Sequence, residues 1–229
     1  MGSHDNIDNG SDAAQPGGFA FPYWTLPVVA GWAYAIWLFG RLPASVPVHW
    51  GFDGQVDRYG GPAEAAFLLP GLMTLTAALM VGLLPLFIPQ APDYGATRRV
   101  YFQLVAFVMA FMLYMEIVTS QMFMGRSGVP IIGLMVLGVG LMFVLMGNLL
   151  PKLKRNVIAG ARLPWAMHDD VAWVKTQRAA GLGFVLLGTV LVCVSPLQGW
   201  LPLVVMLGGK ALLVCGVLWY SWRASRGAA

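Results

Sequence analysis

GNLLPKLKRNVIAGARLPWAMHDDVAWVKTQRAAG, residues 147–181, is the longest polar interruption in an otherwise apolar chain. It holds six of the fourteen Lys and Arg residues: Lys152, Lys154, Arg155, Arg162, Lys175 and Arg178. A loop this basic between two apolar stretches belongs on the cytoplasmic face of a membrane, because cationic side chains resist translocation. Fixing that side fixes the direction of every other segment.

The composition agrees. Of 229 residues, 58% are hydrophobic and 10% charged, and the mean hydropathy is +0.70. Soluble domains carry roughly 25% charged residues, so this chain lacks the polar side chains to coat a water-soluble surface. The reading is an all-α integral membrane protein in contact with the lipid bilayer. The net charge of +4 does not signal nucleic acid, since the positive residues sit at the ends of apolar runs and act as topological anchors. Cys193 and Cys215 fall in separate apolar runs at different depths, too far apart for a disulfide.

Residues 1–20 form a polar tail without Lys or Arg, too hydrophilic to pack, and no secretory-signal pattern opens the chain. Six apolar spans follow, each near the 20 residues that a transmembrane helix needs: roughly 23–41, 64–89, 98–124, 129–150, 179–196 and 200–222. A polar helical lead-in from Asp170 precedes the fifth. Placing the N-terminus inside puts ten Lys and Arg on the inner side against Arg41, Arg58 and Arg126 outside, with Lys210 inside span 6. Both termini are therefore expected in the cytoplasm, in a multi-pass protein of the cell inner membrane. Three regions result: the tail, a two-span unit over 21–90 with an outer loop at 42–63, and a four-span unit over 91–229 with a basic inner loop at 151–178. Ala179 and Gly183 form a small-xxx-small pair suited to close helix packing.

The outer loop is expected to be compact and turn-rich, because Pro43, Pro47, Gly51, Gly54, Gly60 and Gly61 break helix. Pro62 suits the first position of the next helix, with Glu64 in its first turn. His49, Asp53 and Asp57 are candidate ligands for a divalent metal if a turn gathers them. Turn formation at Asp53–Gly54 and an Asp57–Arg58 ion pair account for the same residues.

Two charges lie inside the spans. Glu116 sits about 12 Å from the outer end of span 3 and Lys210 about 15 Å from that of span 6. An intramembrane ionisable group is a functional candidate by default, and the similar depth allows the two to pair. Thr119 and Ser120 share the Glu116 face.

In the basic loop, Asn148 ends span 4 and Pro151 stops its helix. Lys152, Lys154 and Arg155 suit anionic headgroups, Trp165 and Trp173 the membrane interface, and Asp169 or Asp170 the N-cap of the next helix. Topology explains the charge. It does not explain the ordering of Asn156, Gly160, Arg162, Pro164 and Trp165.

Two motifs carry a resemblance. VPVHWGFDGQVDRYG, with Pro47, His49, Gly54, Asp57, Tyr59 and Gly60, resembles the DUF1648-type domain found at the N-terminal end of SdpI-type bacterial membrane proteins. Gly147-Asn148, Leu150-Pro151-Lys152, Asn156 and Gly160-x-Arg162-x-Pro164-Trp165, followed by Trp173 and Thr176, resemble the SdpI signature. The chain departs from it at Ala161, where Ile is favoured, at Ala166 and Met167, where Thr-Leu is usual, and at Gln177, where a His often follows the Thr.

The resemblance implies a non-enzymatic immunity and signalling protein of the SdpI family. Such a protein gives resistance to a secreted antimicrobial peptide toxin, meeting the toxin outside and a cytoplasmic regulator inside. On that basis Tyr59, Asn148, Asn156, Gly160, Arg162, Pro164, Trp165, Trp173 and Thr176 join His49, Asp53, Asp57, Glu116 and Lys210 as candidate binding residues. Two other classes stay open. One is a metal-dependent membrane hydrolase using the outer-loop His and Asp residues with Glu64, although HExxH, GxSxG and phosphate-loop motifs are all missing. The other is a small transporter or lipid-binding protein lined by Glu116 and Lys210.

Overall fold

The structure is a computed structural model that describes residues 22–50, 56–87, 94–126, 128–197 and 199–226. The polar tail and Asp53 lie outside the described residues. Six helices carry the fold: α1 (Thr25–Phe39), α2 (Pro62–Phe87), α3 (Tyr94–Phe123), α4 (Ile131–Leu149), α5 (Asp170–Val194) and α6 (Leu201–Arg226). Five of them, α2 to α6, are long and apolar enough to cross a membrane. The first predicted span is shorter than expected. Fifteen residues rise only about 22 Å, less than the roughly 30 Å hydrocarbon core.

The outer loop corrects the all-α expectation. It contains an antiparallel hairpin, β1 (Val46–Trp50) against β2 (Val56–Gly60), with Pro47 opposite Tyr59 and His49 opposite Arg58. Its register is irregular around His49. Pro47 belongs at such an edge, where no ladder donor is required of it. Trp50 of β1 stacks on Phe123 at the end of α3, 6.4 Å between ring centres.

Leu68, Leu75 and Leu79 of α2, Leu182 and Leu186 of α5, and Leu212 of α6 all face outward. A helix that turns leucine outward is solvated by lipid, not water. Helix association then depends on close backbone approach and interhelical hydrogen bonds. Both are present.

The α4–α5 seam is built on glycine. A Cβ added at Gly140 would lie 2.8 Å from the Gly188 carbonyl oxygen, and one at Gly147 would lie 2.7 Å from that of Gly181. In antiparallel helices, glycines seven residues apart on each partner meet in register. The small pair read from sequence is therefore not the seam: Gly183 faces Leu213 of α6 instead.

Side-chain bonds link the other helices. Trp32 of α1 donates to the Thr74 hydroxyl of α2 at 2.9 Å. Tyr34 of α1 and Ser120 of α3 share a hydrogen bond of 2.5 Å. Tyr114 of α3 donates to the Leu134 carbonyl of α4 at 2.7 Å. Helices α1, α2 and α3 pack together, α3 packs on α4, and α6 packs on α5 and α4. Val100 and Leu104 at the start of α3 pack with Leu149, Leu153 and Trp173. The hairpin and the basic loop thus occupy opposite ends of the bundle.

Candidate functional site

The basic loop is folded on itself. After α4 a 3-10 turn, Leu150–Lys152, delivers Leu153 into a buried position. The Trp173 indole N–H, on α5, donates to the Leu153 carbonyl at 2.8 Å, and its ring is 1% exposed. Trp173 is therefore a buried anchor and not an interfacial residue.

Asn156 makes a turn of the kind its short amide favours. Its Oδ1 accepts from the Ile158 and Ala159 amides at 2.9 and 2.8 Å, and its Nδ2 donates to the Lys154 carbonyl at 2.7 Å. Arg162 donates to the Val157 carbonyl across the same turn. Gly160 follows at φ +103°, a conformation that L side chains rarely adopt, and a Cβ there would meet the Gln177 amide oxygen at 2.7 Å. Gln177 bonds both backbone groups of Ala161, at 3.1 Å each.

Pro164 and Trp165 carry the chain towards α6. The Trp165 indole donates to the Ser221 hydroxyl at 2.8 Å, and Ser221 shares a 2.6 Å hydrogen bond with Thr176. Ser221 and Thr176 are fully buried. Asp169 is the N-cap of α5, accepting from the Val171 and Ala172 amides at 2.9 and 3.0 Å. Asp170 instead pairs with Arg155 at 2.8 Å. Asn148 bonds back to the Val144 carbonyl of its own helix at 2.7 Å.

The signature side chains Asn156, Arg162 and Trp173 thus bond backbone groups of the loop, while Trp165 and Thr176 bond the Ser221 hydroxyl. Gln177 and Ser221 were missed as partners in the sequence. The polar residues Thr176, Gln177 and Ser221, inside otherwise apolar helices, were the available signal.

At the hairpin, His49 Nδ1 and Asp57 Oδ1 are 2.6 Å apart, with both side chains at least half exposed. Arg58 pairs with Glu64 of α2 at 2.7 Å. The Asp57–Arg58 ion pair expected from their adjacency is not formed, because neighbours along a strand point to opposite faces. Among the described residues no group of three His, Cys, Asp or Glu side chains is gathered for a metal. Tyr59 is 62% exposed.

The expected Glu116–Lys210 pair does not form. Glu116 is 3% exposed, and neither carboxyl oxygen has a hydrogen-bond partner. It lies where α1, α2 and α3 meet: a Cβ at Gly31 would come 2.4 Å from Met73 Cε and 2.9 Å from Glu116 Oε2. Lys210 is on α6, which packs on α5 and α4. The similar depth expected of the two residues did not make their helices neighbours. Thr119 bonds to backbone carbonyls of its own helix, and Ser120 bonds to Tyr34 and the Ile117 carbonyl.

Residues 26–74 match the domain of unknown function DUF1648, which covers α1, the hairpin and the first half of α2. Residues 152–221 match the SdpI/YfhL protein family, from the 3-10 turn to the buried Ser221. The chain is 22% identical over 173 residues to "Immunity protein SdpI" of Bacillus subtilis (strain 168), covering 76% of this chain and 80% of that protein. No solved structure matches. The chain is thus a multi-pass membrane protein in which a stretch that matches DUF1648 precedes one that matches the SdpI/YfhL protein family.

Proposed function

We propose that this chain is a membrane immunity protein, conferring resistance to a secreted antimicrobial peptide. The observation that carries the reading is the similarity to the Bacillus immunity protein, which extends over 76% of this chain and so is not confined to one domain. In this reading α2 to α6 cross the cytoplasmic membrane as helices, the shorter α1 crosses together with the turns that flank it at Tyr23–Trp24 and Gly40–Arg41, both termini lie inside, and the hairpin faces the toxin. The basic loop then faces a cytoplasmic regulator. The positive-inside distribution supports that orientation. At the hairpin, Tyr59 and the His49–Asp57 pair stand exposed. Such a surface offers an aromatic contact and polar groups to a peptide.

Expression in a strain sensitive to a peptide toxin of this kind, with survival as the readout, tests the proposal. The wild-type chain is expected to protect, and Tyr59→Ala to lower protection by about tenfold while membrane abundance is unchanged. Failure of the wild-type chain to protect against such peptides overturns it. A regulator at the basic loop is tested separately, by its recovery with the membrane fraction only when this protein is present.

A further inference from the structure

We propose that the cleft between α5 and α6, at the basic-loop end, is a binding site for an anionic phospholipid. This stands apart from the immunity reading. The cleft has a volume of about 590 Å³, with Leu182, Gly183 and Leu186 of α5 on one wall and Leu212, Leu213 and Gly216 of α6 on the other. At its mouth it continues into a recess of about 450 Å³ formed by Lys175, Tyr220 and Arg223. Lys175 and Tyr220 line both, and Arg178 joins them in the larger cleft.

The lining is graded from charge to grease. From Lys175 to Leu186 the helix rises about 16 Å, close to one leaflet of a roughly 30 Å hydrocarbon core. A diacyl lipid presents the same gradient, with its phosphate at the cationic mouth and a chain along the leucines. The cleft is open because α6 is barely covered: 6% of its membrane-spanning stretch is buried, against 28–33% for the other spanning helices. Gly216 adds room, since a Cβ there would meet nothing within 4 Å.

Charge selects the lipid class. Lys175, Arg178 and Arg223 are exposed, and among the described residues no carboxylate pairs with them. Both described acids at this end are already committed, Asp169 to the N-cap of α5 and Asp170 to Arg155. Arg223 lies over the Trp219 ring at 5.4 Å, which leaves its N–H groups free for a phosphate. Basic pockets between transmembrane helices bind anionic headgroups. A second copy of the chain fits less well, because an isologous contact at this face would set the three cations near their own counterparts.

Native mass spectrometry from a neutral detergent tests the site, with phosphatidylglycerol and phosphatidylcholine as probes. The protein is expected to retain one phosphatidylglycerol in preference to phosphatidylcholine. Each cation removed weakens retention by about fivefold, so Lys175→Gln/Arg178→Gln/Arg223→Gln loses about a hundredfold. Gly216→Leu, which fills the cleft and touches no charge, is expected to lose the lipid as well, whereas Arg126→Gln at the opposite end keeps it. Equal retention of the two lipids, undiminished binding by either cleft variant, tight binding of glycerol phosphate alone, or a dimer that covers the cleft overturns the proposal.

Discussion

Gln177 holds both backbone groups of Ala161, its Oε1 accepting from the N–H and its Nε2 donating to the carbonyl, each at 3.1 Å. One side chain of α5 thereby holds a loop segment sixteen residues earlier in the chain. A primary amide is the side chain that offers one donor and one acceptor in the spacing a peptide group presents. Gln177→Ala leaves both Ala161 groups half-buried and unpaired, at a cost of about 1–3 kcal/mol. Gln177→Glu keeps the acceptor but sets a carboxylate oxygen against the Ala161 carbonyl, and is expected to be the worse of the two. Thermal unfolding in detergent, followed by fluorescence size-exclusion, gives the order wild type, Gln177→Ala, Gln177→Glu. A glutamate variant as stable as wild type would show that the clamp contributes nothing.

Gly160 makes the complementary case. Its φ of +103° strains any L residue, and a Cβ would crowd the Gln177 amide. Gly160→Ala is expected to cost about 1–3 kcal/mol for the backbone conformation alone. The clash with the amide is separable. In a Gln177→Ala background the added penalty of Gly160→Ala should fall, because the crowded group is gone. A double-mutant cycle that comes out additive would place the whole effect in the backbone.

The glycine seam predicts where bulk is forbidden. Gly188→Val forces its side chain into the Gly140 carbonyl, which a Cβ would already approach to 2.6 Å, and backbone cannot yield as a side-chain tip can. Gly208→Val, at a site with nothing within 4 Å, is the matched control. The first is expected to lower the amount of folded protein recovered from membranes severalfold, and the second to leave it near wild type. Equal yields would mean that α4 and α5 do not approach along these glycines.

How much of this could be read beforehand varies by element. Apolar length located α2, α3, α4 and α6 to within a few residues, because hydropathy alone decides where a helix enters lipid. α5 was read as a span with a polar helical lead-in from Asp170, and it does run unbroken from that residue, since Asp169 caps it and Trp173, Thr176 and Gln177 find partners inside the protein. The hairpin went unseen because its strands are five residues each, too short for alternation to outweigh the flanking glycines and prolines. Facing was the least legible property. Counting along the spans yields an expected depth for Glu116 and Lys210 but not the azimuth of either helix, and the helix order around the bundle decides what meets. The same blindness led to Ala179 and Gly183 in place of Gly181 and Gly188. In the basic loop the motif was visible as an unusual ordering of residues. Its partners, Gln177 and Ser221, lie 16 and 56 positions from Ala161 and Trp165, beyond any local pattern.

Glu116 gives the sharpest separation of fold from function. Its carboxyl is buried beside Gly31 with neither oxygen bonded, so nothing in the bundle repays its removal from water. A group that cost stability and served no purpose could be replaced at a gain, since an apolar side chain of similar size removes the unsatisfied atoms. Glu116→Met is therefore expected to match or exceed the wild-type thermal midpoint. Glu116→Gln retains two polar groups in the same site and is expected to fall below Glu116→Met. If the carboxyl serves the protective activity, survival of the sensitive strain drops by about tenfold or more in both variants while the protein stays folded and abundant, the pattern expected of an intramembrane ionisable residue kept for use. Gly31→Ala offers a third arm, because it intrudes on the carboxyl and on Met73 without altering charge, and it should lower both stability and protection. Full protection by Glu116→Met, at wild-type abundance, would leave the buried carboxyl without a role in the activity.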